Sequence, residues 1–148
     1  MALTLLDTNV LVYAVYEGSS LNPAAARLVA RGLGERGLYC IAPQNLIEFA
    51  AVTSRARFVS PPLHPSEIAR ISNVLYRSRR LTKIYPRRGT VARAIRDGAA
   101  LGIAGPRWYD FFLASTMRDA GVQIIITEDV EHFRQFPAVT AVHIRNAP

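Results

Sequence analysis

The sequence predicts an α/β fold, namely an α/β/α sandwich with a mostly parallel central sheet. Short apolar runs at residues 3–6 and 122–126 alternate with longer segments in which apolar residues recur at helical spacing. A short apolar run bounded by polar residues is typical of a strand buried on both faces, as parallel strands are beneath covering helices. The chain has 148 residues, of which 50% are hydrophobic, so we expect one domain over residues 1–148 with a substantial core.

Proline and glycine mark the predicted helix boundaries in the first half of the chain. Pro23 suits the first position of a helix because its φ is already helical, and Gly37 ends that helix. Pro43 and Pro65 start two further helices in the same way. The predicted elements are strands at 3–6 and 39–42 and helices at 8–15, at 22–36, from 43 up to the Pro61-Pro62 pair, and from 65.

Strands and helices continue to alternate in the second half of the chain. The predicted elements are a strand at 81–85, helices at 90–101 and 106–121, and strands at 122–126 and 139–144 with a short turn between them. Because consecutive strands joined by helices pair in parallel, this order predicts a mostly parallel sheet with helices on both faces.

The charge of the chain favours a polyanionic partner. The net charge is +7, and Lys83 is the only lysine, so nearly all of the positive charge comes from arginine, which binds phosphate through two hydrogen bonds. The densest basic segment spans residues 77–96, with Tyr76 and Tyr85 interleaved. It is either an RNA-binding track or an ordinary solvated face. In the first case the phosphate contacts would include Arg79, Arg80, Arg87 and Arg88.

Cysteine content and hydropathy suggest where the protein acts. Cys40 is the only cysteine, which excludes an intrachain disulfide, and we expect it to be a small buried apolar residue. The sequence shows neither the pattern of a secretory signal nor an apolar run long enough to span a membrane. We therefore expect a cytoplasmic protein with no membrane partner.

Four of the eleven acidic residues stand in unusual sequence contexts. Asp7 and Asp129 follow predicted strands, at the sheet edge where open α/β folds bind ligands. Glu48 lies in an otherwise apolar helical segment, and Asp110 stands between pairs of aromatic residues. Taken singly, each could be a helix cap, a first-turn acid or a solvated acid. Together, four carboxylates without a matching histidine or cysteine set suit Mg²⁺ or Mn²⁺, ions that assist phosphodiester hydrolysis.

Four segments then carry a resemblance to a known family. They are Leu5-Leu6-Asp7-Thr8-Asn9, Asn45-Leu46-Ile47-Glu48, Tyr109-Asp110-Phe111-Phe112-Leu113-Ala114, and Ile126-Thr127-Glu128-Asp129 followed by His132-Phe133. In this order and spacing they resemble the PIN-domain ribonucleases, in particular the VapC-like toxins of type II bacterial toxin–antitoxin pairs. The resemblance covers nearly the whole chain, and it implies a PIN-like fold.

The resemblance also implies roles for individual residues. Asp7, Glu48 and Asp110 match the family's catalytic, metal-binding acids. Asp129 matches its fourth acid, although Glu128 and Glu131 lie close enough in sequence to take that place. The polar positions that orient the carboxylates are Thr8, Asn9 and Thr127.

The activity that the resemblance implies is that of an Mg²⁺- or Mn²⁺-dependent endoribonuclease, a toxin whose products carry 5′-phosphate and 3′-hydroxyl ends. The implied partners are an RNA substrate, a cognate antitoxin protein and a second copy of the chain in a homodimer. The alternative is a catalytically inactive PIN-like module that binds RNA or protein. A phosphotransferase with an aspartyl nucleophile is disfavoured, because Asn9 stands where such enzymes need a second aspartate.

Two further expectations concern residues around the acids. His64, His132 and His143 are scattered, and each is expected to be structural or exposed rather than a metal ligand. The Pro61-Pro62 segment and the helix after it would form either a clip over the acidic groove or a dimer contact.

Overall fold

A computed structural model describes residues 2–148 and has a central sheet of five strands. The strands are β1 (Thr4–Leu6), β2 (Tyr39–Ile41), β3 (Thr82–Lys83), β4 (Ile124–Thr127) and β5 (Thr140–His143). Their order in the sheet is β3-β2-β1-β4-β5, and every neighbouring pair is parallel. The predicted α/β class is confirmed, and the sheet is parallel throughout rather than mostly so.

Helices connect the strands. They are α1 (Thr8–Val15), α2 (Asn22–Gly34), α3 (Pro43–Thr53), α4 (Pro65–Arg77), α5 (Thr90–Ala100), α6 (Arg107–Asp119) and α7 (Val130–Arg134), and a 3₁₀ turn follows at Ile144–Asn146. The expected turn between the last two strands is wrong, because α7 occupies it. Phe133, which is fully buried, anchors this helix, but two apolar residues in a segment of five are too weak a pattern to show helical periodicity.

The two faces of the sheet build separate halves of the core. Leu6, Ile41 and Ile126 point to the side covered by α1–α4, whereas Leu5 and Ile125 point to the side covered by α5–α7. This alternation follows from the period of two along a strand, and it explains why the short strands are apolar on both faces. Cys40 is fully buried as expected, and that burial raises the pKa of its thiol to about 12.

The strand order reverses direction between β1 and β4, which lie side by side with Leu6 opposite Ile126. In open parallel sheets the crevice at such a switch point, outside the carboxyl ends of the strands, is where ligands bind. Within residues 2–148, no helix combines the length and the apolar character needed to cross a bilayer.

Candidate functional site

A cleft of about 260 Å³ opens at the carboxyl ends of β1 and β4, at the switch point of the sheet. All four predicted acids contribute to it, although they come from distant parts of the chain. The residues that line it are Asp7, Thr8, Asn9, Val12, Tyr13, Glu48, Val52, Phe58, Asp110 and Asp129. The fold therefore brings together the carboxylates that the sequence singled out.

Asp7 occupies the centre of the cleft, directly after β1, and only 7% of it is exposed. Its Oδ1 accepts a hydrogen bond from the Thr8 backbone N–H (2.7 Å) at the start of α1. Its Oδ2 accepts from the Thr127 hydroxyl (2.7 Å) and from the Asn9 amide (3.3 Å). Burial nevertheless raises the pKa of Asp7 to about 7, against the lowering effect of the hydrogen bonds, and Asp110 and Glu48 add negative charge.

Asn9 links the two strand-end acids. Its Nδ2 lies 3.1 Å from Thr127 Oγ1 and 3.3 Å from Asp129 Oδ2, so one amide faces several acceptors. Its Oδ1 accepts from the Glu128 backbone N–H (3.2 Å), while the Asp129 N–H donates to Thr127 Oγ1 (3.0 Å). These bonds fix the turn after β4 against the start of α1, and they place the Asp129 carboxylate in the cleft.

Glu48 reaches the cleft from α3, and two donors hold its carboxylate. Thr8 Oγ1 donates to Glu48 Oε2 (2.9 Å), and Gln44 Nε2 donates to Glu48 Oε1 (2.6 Å). Asn45, which is fully buried, donates to Thr8 Oγ1 (3.2 Å) and accepts from the Ala42 N–H (2.8 Å). The start of α3 is thereby tied to the start of α1, and Glu48 is placed beside Asp7.

Asp110 enters the cleft from the first turn of α6 and pairs with a histidine. Asp110 Oδ2 lies 3.3 Å from His132 Nδ1, and the Asp110 side chain is 29% exposed. Burial raises the pKa of Asp110; His132 opposes this shift, whereas the charges of Glu48 and Asp129 add to it. His132 is exposed over 53% of its side chain, which is one of the two settings expected for it, and sequence reasoning did not anticipate its contact with an acid of the site.

The three acids after β4 occupy different surroundings. Glu128 accepts a hydrogen bond from the Tyr13 hydroxyl, which raises the pKa of Tyr13 together with burial. Glu131 forms an ion pair with Arg134 (3.0 Å). Of the three, Asp129 alone lines the cleft, as far as residues 2–148 show. This placement favours Asp129 over its glutamate neighbours as the fourth acid.

The donor chemistry of the cleft fits a hard divalent cation. Carboxylate and hydroxyl oxygens are what Mg²⁺ and Mn²⁺ prefer, and the negative charges of Asp110 and Glu48 add to the rise that burial causes in the pKa of Asp7. In the conformation described for residues 2–148, no three His, Cys, Asp or Glu side chains already form a set that could hold an ion. The carboxylates are instead engaged by the hydrogen bonds given above, so ion binding would have to compete with those bonds.

The four predicted RNA-binding arginines lie away from the acids. Arg79 and Arg80 precede β3 at its amino end, and Arg80 donates to the carbonyl of Gly34 at the end of α2. Arg87 and Arg88 lead into α5, where the Arg87 N–H donates to Thr90 Oγ1 (2.7 Å) and the Thr90 hydroxyl donates to Asp119, at the opposite end of α6 from Asp110. In the part of the chain that the structure describes, none of the four lines the cleft itself.

Sequence reasoning missed several neighbours of the acids. Gln44 precedes Glu48 by four residues, and this spacing alone puts both side chains on one helix face. Asn45 stands inside a recognised motif, but its burial was not foreseen. Tyr13 and Phe58 carried no signal, and His132 belonged to a motif of the resemblance without any expected contact, because only the folded chain brings these residues to the acids.

Comparisons with known proteins agree with this fold. A family model described as "PIN domain" matches residues 4–139. A comparison of the sequence with curated proteins finds no match.

Among solved structures, VapBC2 from Rickettsia felis, bound to a DNA fragment from its promoter, has a TM-score of 0.63 and 16% identity, over 95% of this chain and 98% of that chain. VapC20 from Mycobacterium tuberculosis, a sarcin–ricin loop cleaving toxin, has a TM-score of 0.63 and 14% identity, over 82% and 86%. DNA-bound VapBC from Salmonella typhimurium has a TM-score of 0.64 and 18% identity, over 97% and 99%. At these identities the likeness is one of fold.

Proposed function

Because this chain belongs to the PIN domain family, we propose that it is an Mg²⁺- or Mn²⁺-dependent endoribonuclease. The observation that carries the proposal is the convergence of Asp7, Glu48, Asp110 and Asp129 in one cleft at the switch point of the sheet. PIN nucleases generally use divalent metal ions. The protein has a net charge of +7, yet its cleft is acidic. Without a bound cation these carboxylates would repel the phosphates of RNA, so a divalent ion in the cleft would remove that repulsion.

We assign the four carboxylates as the groups that would hold the ion, with Thr8, Asn9 and Thr127 as the residues that orient them. Thr127 and the Thr8 N–H fix the two oxygens of Asp7, and the Thr8 hydroxyl fixes one oxygen of Glu48. When bound, Mg²⁺ or Mn²⁺ would supply water activation and neutralise charge on the phosphate. The protein's own contribution is to hold the carboxylates in fixed orientations in a partly buried cleft.

We further propose that the protein is the toxin of a toxin–antitoxin pair, inhibited by a cognate antitoxin and assembled as a homodimer. The support is the fold shared with VapBC proteins and with a VapC toxin. Large apolar side chains also stand exposed near the acids, with Ile47 at 72% and Tyr109 at 64% exposure. Apolar residues exposed next to a functional cleft are typical of protein contact surfaces.

The test is cleavage of mixed single-stranded RNA by the purified protein, with and without Mg²⁺ or Mn²⁺, beside Asp7→Asn. We expect cutting that a chelator stops and that Asp7→Asn lowers by a factor of 100 or more, on the order of what an ion-holding carboxylate contributes. Glu35→Gln is the matched control, because Glu35 is an exposed acid at the end of α2 and pairs only with Arg31. Cutting that survives both the chelator and Asp7→Asn would contradict the proposal. RNA binding without any cutting would favour the alternative of an inactive PIN-like binding module.

A further inference from the structure

The connection between α3 and α4 places one aromatic side chain at the acidic cleft. Phe58 lines the cleft together with Asp7 and Glu48, and 46% of it is exposed. Val12 and Val52 also line the cleft, so its lining is apolar as well as acidic. The Pro61-Pro62 segment, expected to form either a clip over the acidic groove or a dimer contact, belongs to the same connection, but among residues 2–148 it is Phe58 and neither proline that lines the cleft.

Short-range contacts order the backbone on both sides of Phe58. The N–H groups of Phe58 and Val59 both donate to the Arg55 carbonyl, at 3.0 and 3.1 Å. Val59 is buried in the core at 2% exposure, and the Leu63 N–H donates to the Thr53 carbonyl (2.8 Å). The ring therefore remains half exposed on a fixed segment whose neighbouring residue is buried, so packing does not account for its position.

An arginine side chain lies next to the Phe58 ring. The guanidinium carbon of Arg57 lies 5.6 Å from the centre of the Phe58 ring. Within residues 2–148, Arg57 has no ion pair with an acidic side chain, so its charge is available to a ligand. An exposed aromatic face combined with an unpaired arginine is how proteins bind single-stranded nucleic acid, since the ring stacks on a base and the cation contacts phosphate.

We propose that Phe58 and Arg57 form a subsite for single-stranded RNA, in which Phe58 stacks on a base beside the scissile phosphate and Arg57 contacts the next phosphate. The inference rests on the proposed function, because it takes the acids as the place of cleavage. It puts the first RNA contacts on the connection between α3 and α4, rather than on the basic segment at residues 77–96. A protein segment bound in the same place would offer neither a base for Phe58 to stack on nor a phosphate for Arg57 to contact.

The test measures binding rather than cutting. A fluorescein-labelled single-stranded RNA of mixed sequence is titrated with Asp7→Asn protein in chelator, and Phe58→Ala, Phe58→Trp and Tyr85→Ala are added singly to that background. Tyr85 is the matched control, because it is an aromatic residue of similar exposure (51%) on the rival basic segment. We expect Phe58→Ala to weaken binding about tenfold or more, Phe58→Trp to retain it, and Tyr85→Ala to change it less than twofold. Arg57→Ala should lower the salt dependence by about one phosphate contact.

The outcomes separate the subsite from the proposed function. If the wild-type protein cuts no RNA and Phe58→Ala still weakens binding, the nuclease proposal fails and the subsite stands. If Phe58→Ala binds as well as its parent, or if the parent does not bind RNA, the subsite is overturned. A second readout is direct: RNA should quench the fluorescence of Phe58→Trp more than that of its parent, in which Trp108 is the single tryptophan. Equal quenching in the two proteins would contradict stacking at this position.

Discussion

Burial makes the ionised form of Asp7 unfavourable in the folded protein. It is buried at the end of β1 and has good hydrogen-bond donors, yet burial keeps its pKa near 7 instead of the ordinary 3.8. The folded protein therefore holds the Asp7 proton more tightly than the unfolded chain does. The free energy of unfolding should decrease as the pH rises from about 4 to about 7, and above that range the whole cost of the charge is present.

We accordingly expect Asp7→Asn to be more stable than the wild type in the absence of divalent ions. At pH 8 the gain should approach, but not reach, the roughly 4 kcal/mol that corresponds to the raised pKa, because asparagine accepts fewer hydrogen bonds from Thr127 and Asn9. At pH 5 the gain should fall to less than half of its value at pH 8, since the folded wild type is then protonated while the unfolded chain is still mostly ionised. Urea unfolding at both pH values measures the difference, and an equal gap at pH 5 and pH 8 would contradict this account.

Gln44 is a residue that would position Glu48 rather than contact substrate. Its Nε2 donates both to Glu48 Oε1 (2.6 Å) and to the Tyr109 carbonyl (2.9 Å), so it bridges α3 and α6 next to Asp110. Both partners are acceptors, which requires the nitrogen to face them and leaves the buried Oε1 without a hydrogen bond. The amide is thus held in the orientation that hydrogen-bonds Glu48, although within residues 2–148 this orientation leaves its own oxygen without a hydrogen-bond partner.

We expect Gln44→Met, which keeps the length of the side chain and removes the donors, to weaken Mn²⁺ binding by about tenfold, the usual effect of losing a hydrogen-bond partner of a ligand. The variant should change the free energy of unfolding by no more than about 1 kcal/mol. Calorimetric titration with Mn²⁺ measures the first quantity and urea unfolding the second. Gln123→Met, at an exposed position before β4, is the control. If stability decreases while Mn²⁺ affinity stays the same, Gln44 has only a structural role.

At the scale of elements, the strands and long helices were predictable because their signals are local. The apolar runs that became β1 and β4 alternate between the two halves of the core, and prolines stand at or next to the starts of α2, α3, α4 and α6. Helix α7 was not predictable, since it depends on burying Phe133 against partners far away in sequence. The close approach of α5 to α6 at Gly98 was also not predictable from the sequence, because a glycine within a helix adds nothing to the apolar periodicity that marks a packed face.

Gly98 allows α5 to lie against the helix that carries Asp110. A Cβ at this position would stand 2.5 Å from a ring carbon of Trp108 and 3.0 Å from Phe111. We expect Gly98→Ala to lower the free energy of unfolding by about 1–3 kcal/mol, because the rings must move to admit the methyl group. Gly34→Ala is the control, since its Cβ would meet nothing within 4 Å, and it should be neutral or stabilising by up to about 1 kcal/mol.

Thermal unfolding measures both glycine variants. A difference of this size should separate their midpoints by about 2–4 °C per kcal/mol in a chain of this length. The emission of Trp108 should shift in Gly98→Ala and stay the same in Gly34→Ala. Equal midpoints for the two variants would mean that the contact between α5 and α6 is not tight at Gly98.

At the scale of the whole molecule, the site exists because the topology collects residues from four places. Asp7 and Asp129 could be placed from sequence, because the carboxyl ends of parallel strands share one edge. Glu48 and Asp110 needed a resemblance to a family, since nothing local distinguishes a helical acid in a cleft from a solvated one. The hydrogen bonds from Gln44, Asn45 and His132 could not be foreseen, because they depend on how α3, α6 and α7 pack.

The same topology decides which arginines can reach an RNA bound at the cleft. Arg79 and Arg80 precede β3 at its amino end, and the Arg87 N–H donates to Thr90 Oγ1, whose hydroxyl donates to Asp119 at the last residue of α6. Because a helix rises about 1.5 Å per residue, Asp119 lies roughly 14 Å along α6 from Asp110, and Arg87 lies at that far end of the helix. The charge run at residues 77–96 therefore has both of its arginine pairs away from the acids.

We expect the double variant Arg87→Ala/Arg88→Ala to leave the slope of log binding constant against log salt nearly unchanged, because Arg87 lies by Asp119 at the end of α6 that is remote from Asp110. Arg79→Ala/Arg80→Ala removes the same formal charge and should also leave the slope nearly unchanged, whereas Arg57→Ala, next to the cleft residue Phe58, should lower it by about the value of one phosphate contact. The measurement is RNA binding between 50 and 200 mM salt (about the range over which such slopes are read) in the Asp7→Asn background. A slope lowered by about 1 or more in either double variant would mean that RNA contacts the basic segment and not only the cleft.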